Sequence, residues 1–119
     1  MAGKGMKDNR QYPRVIREDS MSLRAMESDR PGAELSEPAY CSTVDISAAG
    51  MQVFLTEPMP IRQCVDIWIV LADSLGTFHL QGRINRLVEL DDPDEPEGFL
   101  AGIELLNSSP HIKGWRELF

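Results

Sequence analysis

Two arginines four residues apart, Arg10 and Arg14, and the run Asp45-Ile46-Ser47-Ala48-Ala49-Gly50 hold the side chains best equipped for chemistry in this 119-residue chain. A guanidinium is a planar fork that donates two parallel bonds to guanine O6/N7 or to a phosphate. A carboxylate accepts from the N–H groups on the opposite edge of guanine. Glycine lets the backbone approach a ligand where a Cβ would collide. The inventory suits a compact ligand carrying both guanine edges and phosphates. Arg17 lies beside the arginine pair and is a further candidate contact. Taken alone, Asp-x-Ser also reads as a turn that caps its own backbone. The arginine pair upstream favours the ligand reading.

Pro13 keeps Arg10 and Arg14 out of a shared helix interior, which puts them on a bend or an extended lead-in. From Arg14 to Met26 the chain reads as a first strand, and residues 27–38 carry the turn signals of a loop. Ala39 to Asp45 is expected to be a second strand, with Tyr40, Val44 and Ile46 on one side. Cys41, Thr43, Asp45 and Ser47 take the other, so Asp45 and Ser47 would face one partner. Met51–Leu55 follows as a third strand. The apolar run from Val65 to Leu71 is that of a strand buried on both faces or crossing a barrel.

Residues 78–90 alternate most clearly, with Phe78, Leu80, Ile84, Val88 and Leu90 on one face and a bend placed at Gly82. Residues 91–97 form an acidic hairpin loop, and Phe99, Ala101, Ile103 and Leu105 alternate as a last strand. A serine cap, an early proline and Ile112, Trp115 and Leu118 at helical spacing predict a short C-terminal helix. The whole is an all-β pattern: an antiparallel β-barrel of six or so strands closed by that helix.

Charge is divided unevenly. Net charge is −7, yet residues 1–17 carry Lys4, Lys7, Arg10, Arg14 and Arg17 against Asp8 alone. The body is correspondingly acidic, which argues against a DNA or RNA binder. Residues 1–9 read as a flexible tail ahead of a single domain over 10–119. No run of ~20 apolar residues offers a membrane span, and no secretory pattern opens the chain, which places the protein in the cytoplasm. Cys41 and Cys64 lack metal-ligand spacing and read as small hydrophobes. His79 and His111 read as exposed surface histidines. With no nucleophile–base pairing, phosphate-cradling loop or metal motif, the chain does not read as an enzyme.

The order Arg-x-x-x-Arg, then Asp-x-Ser-x-x-Gly, resembles the PilZ domain family, bacterial receptors for the second messenger cyclic di-GMP. The resemblance runs from about Arg10 to the end and includes Gly102-Ile103-Glu104-Leu105 as a final strand. It implies a six-stranded barrel with the arginine motif on its lead-in and the Asp-x-Ser turn on its outer surface. It also implies cyclic di-GMP as ligand, bound by Arg10, Arg14, Asp45, Ser47 and Gly50, with Arg17 as a possible addition. Asn9 stands where many relatives carry a third arginine, which favours one nucleotide per chain. A receptor of this kind passes its signal to a downstream protein, in motility, exopolysaccharide or virulence control. A monomer or weak dimer is expected. The alternative is a PilZ-like adaptor that acts through protein contacts without nucleotide.

Overall fold

A computed structural model describes residues 14–119 except Asp29, Pro31, Ser74, Glu95 and Pro96. Arg10 and the expected tail over 1–9 lie outside the described residues. Among the described residues seven strands run in chain order: β1 (Val15–Ile16), β2 (Ser20–Met26), β3 (Ala39–Ile46), β4 (Gly50–Leu55), β5 (Cys64–Leu71), β6 (Gly76–Leu90) and β7 (Gly98–Leu105), followed by α1 (Ile112–Arg116). All pairings are antiparallel. The order β3-β2-β5-β6-β7-β4 returns to β3 through the β3–β4 pair, closing a six-stranded barrel. Closure removes the free edges that an open sheet would expose.

Alternation fills the barrel. Leu23, Val53, Val65, Ile67, Ile69, Leu80, Ile84 and Ala101 are fully buried inside it. Gly50 enters β4 so close to β7 that a Cβ there would run into the Ile103 carbonyl oxygen. Its missing side chain therefore serves barrel closure. Cys41 and Cys64 are free and half-buried. Burial alone pushes the Cys41 thiol up to about 11, which makes it a poor nucleophile.

The expected first strand is interrupted. β1 and β2 run along the same side of β3, and Arg17-Glu18-Asp19 departs from the ladder between them. Asp19 explains the break. Its carboxylate accepts from Arg17 Nε and Nη2 at 2.6 and 3.0 Å and from the Ala72 N–H at 3.0 Å. The Thr43 hydroxyl donates to the Arg17 carbonyl at 2.7 Å and accepts from the Asp19 N–H at 2.9 Å. The segment leading back to Arg14 is thus bolted to β3 and to the end of β5.

Two bulges change which residues face the core. In β3, Thr43 sits opposite Val53 while Asp45 sits opposite Gln52, leaving Val44 as the extra residue. Thr43 points inward, Asp45 outward and Ile46 inward again, so the expected sharing of one face by Thr43 and Asp45 is corrected. In β6, Ile84 pairs with Ile103 and Arg86 with Gly102, with Asn85 extra. Leu87 consequently packs on the core, and Val88, expected inside, is exposed. The register shift sits at Ile84–Arg86, while Gly82 pairs regularly with Val65 and Leu105. β5 is not buried on both faces: Trp68 and Val70 point outward and are 43% and 56% exposed.

The helix caps one barrel mouth, but without the expected serine cap: no side-chain bond closes its start at His111. The Ser109 hydroxyl instead meets the Gln81 N–H at 2.9 Å and the Leu106 carbonyl at 2.6 Å. Trp115 is fully buried, packs edge-on against Phe78, and its indole N–H donates to the Ser47 carbonyl at 2.9 Å.

Two measurements check this scaffold. Trp115→Ala should lower unfolding free energy by about 3–5 kcal/mol in urea titration. Trp115→Phe should cost about 1–3 kcal/mol, because it keeps the ring and leaves the Ser47 carbonyl unpaired. For Asp19, burial alone would raise the carboxyl pKa. The Arg17 hydrogen bond, the Ala72 N–H and the Arg17 charge outweigh burial and hold it below the usual value. A depressed folded pKa stabilises above the unfolded value of about 4 and loses that contribution as pH falls through the folded one. Asp19→Asn should therefore destabilise the protein at neutral pH and flatten the fall in stability below about pH 4.

Candidate functional site

The β3 bulge turns Asp45 out onto the barrel wall, where Arg14 Nη1 donates to its Oδ1 at 2.7 Å. Gln52 Nε2 donates to the other oxygen at 3.0 Å. Both acceptors are oriented by neighbours, and the side chains are 29% and 12% exposed for Arg14 and Asp45. Arg14 is therefore half out of water, with one edge of its fork engaged. Its Nε is buried and has no hydrogen-bond partner among the described residues. An unpaired buried donor on a cation is costly unless something accepts from it.

Register extends this pair into a row. Asp45 lies opposite Gln52, Gln52 opposite Gly102, and Gly102 opposite Arg86. At ~4.8 Å per strand the row is roughly 14 Å long, far more than a lone phosphate needs. A Cβ on Gly102 would lie 2.9 Å from Asn85 Oδ1 and 3.3 Å from Arg86 Cβ. The missing side chain leaves room for the Asn85 amide between Gln52 and Arg86. Neither Gln52 nor Arg86 was flagged by the sequence, since only the register of three other strands places them beside Asp45.

The remaining candidates divide. Ser47 lies beyond the end of β3 and is buried; its hydroxyl is within 3.2 Å of both the N–H and the carbonyl of Gly50. The Ser47 N–H also donates to the Gly50 carbonyl at 2.8 Å. The expectation that Asp45 and Ser47 project together from one strand is thus corrected, because the serine closes its own turn. Trp115 grips that turn from behind. Arg17 has both sides of its fork on Asp19, which holds the leader in place and raises the Arg17 pKa through that hydrogen bond.

His111 is exposed, as expected, but His79 is partly buried. His79 Nε2 lies 2.8 Å from Asp66 Oδ1, and its ring stacks on Trp68 with centroids 4.3 Å apart. His111 Nδ1 accepts from the His79 backbone N–H at 2.9 Å. Asp66, nearly fully buried, also accepts from Gln81 Nε2 at 3.0 Å. These contacts dress the outer face of β5 and β6, away from the Asp45 row. Among the described residues no group of three or more His, Cys, Asp or Glu side chains is placed to hold a metal. No helix there is long and apolar enough to cross a membrane.

Solved structures with the same barrel include the PilZ domain of YcgR from Escherichia coli with c-di-GMP. It is 18% identical, with a TM-score of 0.65 over 93% of this chain and 86% of that one. The K. pneumonia MrkH–c-di-GMP complex superposes with a TM-score of 0.66 at 10% identity, over 94% of this chain and 51% of that one. The Bacillus subtilis inhibitor of motility MotI/DgrA gives 0.65 at 17% identity, over 94% and 48%. The chain thus spans about half the length of the two larger proteins. No curated protein matches it. The PilZ domain family model matches residues 8–114, and the chain belongs to the PilZ domain family.

Proposed function

We propose that this protein is a receptor for cyclic di-GMP, bound on the outer wall of the barrel under the arginine-bearing leader. The observation that carries the reading is the half-used fork of Arg14: one nitrogen fixed on Asp45, the buried Nε without an acceptor among the described residues. A phosphate or a guanine O6/N7 edge supplies acceptors of the right kind. Two relatives with the same barrel are described with this nucleotide bound.

In this reading Arg14 and Arg10 clamp guanine and phosphate, and Asp45 accepts from a guanine N–H edge. Ser47 acts through its turn, its hydroxyl spent on Gly50, and so holds Asp45 and the backbone of residues 48–50 in place. Gly50 acts through barrel closure behind the turn, Gly102 adds no side chain of its own to the wall, and Arg86 at the far end of the row meets the second half of the ligand. The nucleotide replaces Gln52, or shares Asp45 with it, so binding does not require the barrel to open.

Magnitudes permit this. Charge-assisted bonds contribute about 1.5–3 kcal/mol each, and micromolar binding requires about 8 kcal/mol. Ordering each leader residue costs about 1–2 kcal/mol, so only the residues next to Arg10 and Arg14 settle on the ligand. The rest of the leader is left to transmit the signal to a partner. No chemical step is involved, and the receptor reading is that of a non-enzymatic protein acting in the cytoplasm.

Isothermal titration with cyclic di-GMP tests it. Binding at one nucleotide per chain is expected for the unaltered protein. Arg14→Ala should weaken it by about 2–5 kcal/mol, roughly 30-fold or more, with an unchanged circular dichroism spectrum. Arg86→Ala should cost about 1–2 kcal/mol. Absence of heat with the unaltered, folded protein would leave the adaptor reading in its place.

A further inference from the structure

The outer face of β3, β2, β5 and β6 carries a second surface that the nucleotide reading does not use. Register aligns Tyr40, Ser22, Trp68 and His79 across the four strands, with Ser42, Ser20 and Val70 in the next row. The small serines of β2 floor a groove. Tyr40 and Phe54 wall one side, Trp68 and Val70 the other. Tyr40 is 81% exposed. Stacking by His79 covers one face of the Trp68 indole and fixes the ring at the groove edge. None of the groove's lining residues is charged.

Single exposed apolar residues need no explanation, but a contiguous patch holding Trp and Tyr marks a contact surface. Charge around it selects the occupant. Thr56 joins the groove to a hollow lined by Glu89, Asp91, Asp92 and Glu97, with no lysine or arginine among its lining residues. Glu57 adjoins Tyr40 on the same side. A second copy of this chain would bring the same carboxylates to the same place in a two-fold pair, on a body already at −7. A basic segment meets complementary charge.

We propose that this groove docks an amphipathic segment of a partner protein, its apolar side chains between Tyr40 and Trp68 and its lysines or arginines over the acidic hollow. The inference does not rest on nucleotide binding, since the groove and the Asp45 row occupy different stretches of the barrel wall. The test uses a fluorescent amphipathic peptide of leucine and lysine, with a leucine–glutamate peptide of the same pattern as control, at physiological salt. The leucine–lysine peptide should bind saturably and shift the indole N–H resonance of Trp68 while that of buried Trp115 stays in place. Tyr40→Ser, at a position exposed enough to spare the fold, should weaken binding by about tenfold. Asp91→Asn with Asp92→Asn should weaken it by roughly threefold and reduce its salt dependence. An unmoved Trp68 resonance, equal binding of the leucine–glutamate peptide, or indifference to Tyr40→Ser would overturn the proposal. So would a concentration-dependent dimer abolished by Tyr40→Ser, which assigns the groove to a second copy. Tyr40→Ser should leave cyclic di-GMP titration unchanged, so the two readings fail separately.

Discussion

A contact of 2.7 Å between the Arg14 guanidinium and the Asp45 carboxylate joins the leader to the barrel wall, and the rest of the site is organised around it. As a source of stability the pair is modest, because partly exposed ion pairs contribute about 1 kcal/mol or less. Its value is positional. Three unrelated pieces of sequence converge to make it possible. The β3 bulge turns Asp45 outward. The Arg17–Asp19–Thr43 network fixes the chain just after Arg14. Trp115 holds the carbonyl of Ser47 from inside the barrel. Loss of any one of these would leave the side chains present and the geometry gone.

The barrel separates two kinds of surface along a single strand. Asp45 lies at the bulged end of β3, opposite Gln52 on the wall but covered to 8% exposure, and Tyr40 near its start is 81% exposed. The polar row from Asp45 to Arg86 crosses β4, β7 and β6. The aromatic row from Tyr40 crosses β2, β5 and β6 in the other direction. One wall offers cations and bare glycine, the other aromatic rings and a carboxylate rim. Such a division keeps the proposed nucleotide site and the proposed docking groove on separate side chains.

Much of this was legible in the sequence. Strict alternation in β7, the turn-rich loop at 27–38 and the acidic loop at 91–97 announced their elements, because a buried face enforces period two and loops collect turn formers. Residue type and the resemblance to the PilZ signature group Arg14 and Asp45 as contacts of one ligand; their direct ion pair comes from the structure. The bulges at Val44 and Asn85 could not be read, since an extra residue leaves no mark in the alternation except a change of phase. That change misassigned Val88 and placed Asp45 beside Thr43. Gln52 and Arg86 reach the site only through cross-strand register, a long-range property. The apolar run of β5 left two readings open, burial on both faces or a strand crossing a barrel; Val65, Ile67, Ile69 and Leu71 fill the barrel while Trp68 and Val70 face outward, which is the second.

Arg14 holds one side of its guanidinium, the buried Nε, without an acceptor among the described residues. The direct measurement is the Nε–H resonance of Arg14, followed by nitrogen–proton NMR as cyclic di-GMP is added. It should shift saturably and gain protection from solvent exchange as Nε acquires its missing partner. A resonance that stays unmoved and unprotected at saturating nucleotide would contradict the account.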